Sequence, residues 1–265
     1  MSSPTPVTSS QAENRKTQVV ALLKSIETGE KGPGAIVNPN KYIQHNLAVG
    51  DGLSGLLEVL AALPEGSAQV NTRRVFADGD FIFANTEYNF FGPKIGFDIF
   101  RFEDGLIVEH WDNLQETPSG PNTSGRTMID GPVQATQLDQ TEDNKTLVKS
   151  FVEEILIGGQ MDRLSHYFDG DNYHQHNPQI ADGLSGLGAA LKTMAEAGIA
   201  LKFDRVHRVL GEGSFVLAVS EGCLGGKACA YYDLFRIENQ KIIEHWDTIE
   251  YIPPRSEWKN ENCKF

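Results

Sequence analysis

Residues 42–56 read YIQHNLAVGDGLSGL, and residues 173–187 read YHQHNPQIADGLSGL. Ten of the fifteen positions are identical without a gap, at an offset of 131 residues. Working outward, FDIFRFEDGLIVEHWD at 97–112 returns as YDLFRIENQKIIEHWD at 232–247, and KTQVVALLKSIETG at 16–29 is matched by KTLVKSFVEEILIGG at 145–159. The offset has grown to 135 at the second match, so the copies differ by short insertions in loops. A period this long describes a duplicated domain, since solenoids and propellers repeat every 20 to 50 residues or so. The expected organisation is a disordered N-terminus at 1–12, domain 1 at 13–117, a linker rich in Pro, Gly, Ser and Thr at 118–140, domain 2 at 141–253, and a C-terminal tail at 254–265.

Within each copy the periodicity changes once. Val19, Leu22, Leu23 and Ile26 lie on one helical face, as do Val148, Phe151, Val152 and Ile155, and Gly29 and Gly158 follow as stop signals. The DGLSGL stretches open a second helix, with Ser54 and Ser185 as candidate N-caps. Alternating strand-like runs then take over, joined at Asp104-Gly105, a strong two-residue hairpin signal. Helices first and a meander of strands after them predict an α+β domain with a curved antiparallel sheet wrapped on its helices.

Composition removes several classes of function. The 265 residues carry Lys+Arg 23 against Asp+Glu 36, a net charge of −13 that repels phosphate backbones and anionic lipid. No nucleic-acid or membrane partner is expected. No apolar run approaches the roughly 20 residues of a membrane span, and the polar MSSPTPVTSSQAENRK start lacks a signal-peptide core, which predicts a cytoplasmic chain. Cys223, Cys229 and Cys263 form neither a CxxC nor an even disulfide set and read as reduced packing residues. His174 and His176, with His166 nearby, are the one metal-like spacing, but Ile43 replaces His174 in the first copy, so no metal is expected.

If Asp104-Gly105 is a two-residue turn, Glu103 pairs with Leu106, and counting outward pairs Asp98 with Trp111 and Ile99 with His110. One face then carries Asp98, Phe100, Glu109 and Trp111; the other carries Arg101, His110 and Asp112. In the second copy the turn is Asn239-Gln240, which sets Asp233 beside Trp246 and Arg236 with His245 and Asp247. On this register an acid lies against an indole, where desolvation favours its neutral, proton-donating form. Arg101, His110, Asp112, Arg236, His245 and Asp247 read as a salt-bridged network or interface on the outer face.

With YxQHN, DGLSGL, DxFR and EHWD quoted in order and twice over, each copy resembles a SnoaL-like domain, the polyketide-cyclase-like branch of the nuclear-transport-factor-2-like superfamily. The resemblance implies two cone-shaped domains paired within one chain as a pseudo-dimer, as a monomer or a further homo-oligomer. It also implies a small-molecule ligand, no cofactor, and acid/base chemistry such as aldol cyclisation or isomerisation through an enolate on a small apolar carbonyl compound. Carried over by position, it points to Asp98 and Asp233 as acids and to His45 and His176 as bases. Tyr42, Asn46, Asn85, Trp111, Tyr173, Asn177 and Trp246 then line the ligand site. The family pattern commonly has a His on the strand before the hairpin, and the matching positions here are Asn85 and Val219. That departure keeps a non-catalytic ligand-binding or scaffolding protein as the alternative, with epoxide or ester hydrolysis in the same cone as another.

Overall fold

Thr8 opens the first helix with a reciprocal cap: its hydroxyl accepts from the Gln11 amide while the Gln11 side chain accepts from the Thr8 amide. The computed structural model describes residues 7–64 and 66–265. Of the N-terminal stretch expected to be disordered, residues 1–6 lie outside the described residues, and the chain is helical from Ser9.

The first repeat contains α1 (Ser9–Thr28), β1 (Ile43–Gln44), α2 (Gly52–Ala62), β2 (Gln69–Asp78), β3 (Phe81–Asn89), β4 (Pro93–Glu103) and β5 (Leu106–Glu116). The second contains α3 (Thr141–Phe151), which continues as a π-helical stretch Val152–Ile157, then α4 (Leu164–Tyr167), β6 (His174–Gln175), α5 (Gly183–Glu196), β7 (Leu201–Glu212), β8 (Phe215–Leu224), β9 (Lys227–Glu238) and β10 (Lys241–Tyr251). Each repeat builds a five-stranded sheet in the same order, β1-β5-β4-β3-β2 and β6-β10-β9-β8-β7. Four strands form the expected antiparallel meander. The two-residue strand from YxQHN adds in parallel at the edge, so each half of the chain is an α+β domain.

Two compact units result, Met1–Asp112 with Pro254–Phe265, and Asn113–Pro253. Segment 118–140, expected as a linker, belongs to the second unit, and the tail 254–265 belongs to the first. The reason is unpaired backbone. The loop between YxQHN and DGLSGL exposes carbonyls that no strand covers, and a buried carbonyl without a donor is costly. Asn122 Nδ2 donates to the carbonyls of Gln175, Asn177 and Ile180. Asn260 Nδ2 does the same for Asn46 and Val49.

The second unit shows which side of the sheet faces its helices. Val148, Phe151, Val152 and Ile155 pack with Val216, Ala218, Phe235 and Ile237 in one buried cluster. Side chains alternate along β9, so Asp233 points to the same side as Phe235 and Ile237. In the first unit, Arg15 of α1 lies 4.9 Å from the Phe102 ring centroid, and Phe102 shares its face with Asp98 and Phe100. No helix of the described residues is long and apolar enough to cross a membrane.

The helix starts differ from expectation. α2 and α5 begin at Gly52 and Gly183, with Asp51 and Asp182 at the N-cap position, so Ser54 and Ser185 lie inside the first turn. Neither aspartate caps its helix. Each accepts from the backbone of the short edge strand instead, Asp51 from the Gln44 amide at 3.2 Å and Asp182 from the Gln175 amide at 2.9 Å.

Candidate functional site

Both hairpin turns form as expected: Asp104 and Gly105 have φ of 51° and 82°, and Asn239 and Gln240 have 51° and 59°. The register beyond the second turn is different. Glu238 pairs with Lys241 and Ile237 with Ile242, but the next pair is Arg236 with Glu244, because a β-bulge takes up one residue. Every later side chain on β10 therefore changes partner. Asp233 lies opposite Asp247, and Phe235 opposite His245. The first unit follows the same shifted register, with Arg101 Nε donating to Glu109 Oε2 at 2.7 Å and the Phe100 and His110 rings stacked at 4.6 Å.

This exchange of faces corrects the expected site. Asp98 and Asp233 do not lie beside Trp111 and Trp246; they share the helix-facing side with His110 and Asp112, and with His245 and Asp247. Trp111 and Trp246 are on the opposite side, stacked on His45 and His176 at 4.6 and 4.5 Å. Arg101 and Arg236 are there too, bonded to Glu109 and Glu244, and belong to no network with His110 or His245. Asn85 pairs across the sheet with Phe97, so it also points away from Asp98, and its side chain accepts from Arg74 Nη1 at 2.9 Å. Val219, its counterpart, points the same way.

His45 and His176 are separated from the aspartates and are fully committed. His176 has Nε2 2.9 Å from Glu244 Oε1 and Nδ1 2.7 Å from the Thr127 carbonyl. His45 has Nε2 3.0 Å from Glu109 Oε1 and Nδ1 2.9 Å from the Cys263 carbonyl. Asp130 Oδ1 also lies 2.7 Å from His176 Nδ1, so both nitrogens of each ring are engaged on this side of the sheet and neither ring reaches Asp98 or Asp233. Burial works against charge on Glu109 and Glu244, yet the bonds from histidine and arginine outweigh it and hold both carboxyls below their ordinary range.

The two repeated motifs interlock because β1 and β6 run beside β5 and β10: Gln44 is level with His110, and Gln175 with His245. On the helix-facing side, His245 Nδ1 is 2.9 Å from Gln175 Oε1, and the same oxygen accepts from the Asn177 amide at 2.9 Å. That second bond identifies the atom as oxygen, so His245 Nδ1 must donate. Nε2 then meets Asp233 Oδ1 at 3.0 Å across one shared proton. Asn177 Nδ2 donates to Asp247 Oδ2 at 2.6 Å. The first unit repeats these contacts with His110, Gln44, Asp98, Asn46 and Asp112. Tyr42 and Tyr173 hydroxyls accept from Gln44 and Gln175 Nε2, and burial pushes both phenols far above their ordinary range. Gln44 and Gln175 were not singled out from the sequence, although the motif contains them. Their signal was position: one residue before a histidine, on a strand that pairs with EHWD.

Electrostatically the cluster is strained. Burial raises Asp98, with His110 partly offsetting it, and burial raises Asp247. Burial also disfavours charge on His245, but the bond to Asp233 and the charges of Asp247 and Asp233 prevail and raise it above 6.5. A histidine raised on folding contributes stability that is complete below pH 6.5 and is lost as pH climbs through its folded value. The unfolding free energy of the native chain is therefore expected to fall relative to that of His245→Gln as pH rises from 6 toward 9, by about 1.4 kcal/mol per unit of raised pKa in total, and its thermal midpoint to fall with it. Parallel melting curves across that range would exclude the raised imidazole.

Asp98, His110 and Asp112, and likewise Asp233, His245 and Asp247, each offer one atom within 4.8 Å of the others, a donor set that suits a divalent cation as well as a proton. Neither group includes His166, His174 or His176. Away from the cluster, a cleft of about 320 Å³ lies between α3 and β7, lined by Lys145, Lys149, His207 and Arg208 among others.

No protein-family model matches the sequence, and no curated protein matches it. Solved structures similar to part of the chain include a SnoaL-like polyketide cyclase from Agrobacterium tumefaciens, 18% identical with a TM-score of 0.33, matched over 40% of this chain and 91% of its own. An NTF-2-like protein from Burkholderia xenovorans is 16% identical with a TM-score of 0.36, over 41% of this chain and 88% of its own. A protein with a cystatin-like fold from Xanthomonas campestris is 25% identical with a TM-score of 0.33, over 40% of this chain and 89% of its own.

Proposed function

We propose that the chain is a cofactor-independent acid/base enzyme whose second unit moves a proton on the carbon next to a carbonyl, the step shared by enolate isomerisation and aldol cyclisation. The observation that carries this reading is Asp233. Its Oδ1 is tied to His245, while its buried Oδ2 has no hydrogen-bond partner among the described residues. A carboxylate held by one oxygen and bare at the other is oriented to accept a proton. Asp233 Oδ2 takes the proton from the α-carbon, the C–H electron pair moves into the carbonyl, and the resulting enolate either receives the proton back at carbon or attacks a second carbonyl, whose oxygen then takes the proton from Asp233. His245 stays bonded to Oδ1, and Gln175 fixes the ring.

In the first unit the equivalent oxygen is already occupied, since the Tyr88 hydroxyl donates to Asp98 Oδ2 at 2.6 Å. That contact supports a non-catalytic reading of the first unit alone. The test is deuterium uptake from D2O next to the carbonyl of 3-cyclohexenone and aminoacetone, followed by NMR. Asp233→Asn is expected to slow the exchange by about 100-fold or more, the usual worth of a positioned base, and Asp98→Asn to leave it unchanged. Equal losses in both variants, or none for Asp233→Asn, would overturn the assignment.

A further inference from the structure

The two units have the same aspartates, histidine, glutamine and asparagine in the cluster, but differ in what meets the two outward carboxylate oxygens. In the first unit, Tyr88 on β3 donates to Asp98 Oδ2 at 2.6 Å. Asp98 pairs with Ala84, and Asp233 with Ala218, so the position of Tyr88 is held in the second unit by Gly222. A side chain there has no room, because a Cβ on Gly222 would meet the Lys202 carbonyl at 2.0 Å. The second exchange is on the added segments. His45 bonds to the Cys263 carbonyl and His176 to the Thr127 carbonyl, which makes Lys264 the counterpart of Met128. Lys264 is 3% exposed with Nζ 3.8 Å from Asp112 Oδ1; Met128 is equally buried and carries no charge. Neither Asp112 Oδ1 nor its equivalent Asp247 Oδ1 has a hydrogen-bond partner among the described residues, so the units differ there in the Lys264 charge, which only Asp112 faces; Asp233 Oδ2 has no such partner either, where Asp98 Oδ2 has Tyr88.

The first unit therefore supplies from its own chain a hydroxyl proton at one oxygen and an ammonium near the other. In the second unit both oxygens are bare. Buried acceptors of this kind are expensive to leave unmet, and two carboxylates beside one imidazole attract a cation. We propose that the second unit binds a small carbonyl compound carrying a protonated amine, with the ammonium on Asp247 Oδ1 and the transferable proton facing Asp233 Oδ2. The first unit, filled by Tyr88 and Lys264, binds none. This rests on the enolate reading for the proton facing Asp233, but the ammonium contact is tested separately from turnover.

Calorimetric titration of the full chain with aminoacetone and with hydroxyacetone, its uncharged counterpart, provides the test. Aminoacetone is expected to bind at one site per chain, about tenfold or more tighter than hydroxyacetone, as a hydrogen bond between charged groups allows. Asp247→Asn should abolish that preference. Met128→Lys should remove the site by filling it from within, and Lys264→Met combined with Tyr88→Gly should open a second site, each in a variant whose melting curve shows it folded. Equal affinities, a preference that survives Asp247→Asn, or two sites in the native chain would overturn the proposal. So would Mn2+ occupying the second unit's cluster with no aminoacetone binding there. Proton exchange on 3-cyclohexenone that depends on Asp233, with no preference for the amine, would leave the catalytic reading standing and remove only this one.

Discussion

The Glu244→Gln substitution is expected to destabilise the second unit by about 3 to 5 kcal/mol, the range found when one partner of a buried ion pair is removed. Glu244 has a side chain only 2% exposed and accepts from three donors: His176 Nε2 at 2.9 Å, and Arg236 Nε and Nη2, each at 2.7 Å. An amide replaces one acceptor oxygen with an NH2 group that faces donors, leaving a buried cation uncompensated. Glu109 accepts from His45 Nε2 and Arg101 Nε in the first unit, but its side chain is 16% exposed and Arg101 is 26% exposed, so water reaches the pair. Glu109→Gln should cost less than half as much. Adding Arg236→Met to Glu244→Gln should recover part of the loss, since the second change removes the stranded charge. Glu244 has its pKa lowered on folding, so its contribution is present above pH 4.5 and lost as pH falls through the folded value. The variant should lack that part of the acid transition. Urea unfolding of the four proteins at neutral and acidic pH measures all of this, and equal costs at Glu109 and Glu244 would contradict the role given to burial.

This network also shows where sequence reading succeeds and where it stops. The repeat, the α+β class, the two turns at Asp104-Gly105 and Asn239-Gln240 and the order of the meander were legible, because each rests on local pattern. The faces of the hairpin were not. One bulged residue between Ile242 and Glu244 reverses the side on which every following residue lies, and no periodicity announces it. As a result His110 and His245, read as an outer network, reach Asp98 and Asp233, while His45 and His176, read as bases, are engaged on the other side of the sheet. Tyr88 and Lys264 were invisible for a different reason. Each reaches the cluster by tertiary placement, and in the second copy Gly222 and Met128 replace them, so looking for what the copies share passes over what distinguishes them.

What they share most fully is DGLSGL, and its second glycine predicts the other large effect. Gly186 is the fourth residue of α5, in ordinary helical backbone, where alanine normally stabilises by about 0.5 to 1 kcal/mol. Here a Cβ would stand 2.3 Å from the Ala181 carbonyl oxygen, and at Gly55 it would stand 1.9 Å from the Gly50 carbonyl oxygen. The obstacle is main chain, folded back over the first helical turn, and it cannot rotate aside as a flexible side chain can. Gly186→Ala should therefore cost about 3 kcal/mol or more, the upper part of the range for overpacking, and lower the melting temperature by about 6 to 12 °C. At Gly188, two residues on in the same helix, a Cβ would meet no atom within 4 Å, so Gly188→Ala should stabilise instead. Opposite signs two residues apart would separate close approach from helix propensity; a Gly186→Ala protein at least as stable as the native one would rule out close approach as the reason for that glycine. The consequence reaches the acid/base centre, because Asp182 at the head of α5 holds the Gln175 amide, and Gln175 orients His245. A glycine kept for backbone clearance thereby sets the direction of a proton-carrying ring, and the loss of imidazole orientation in Gly186→Ala should appear as a His245 resonance that no longer follows the native titration.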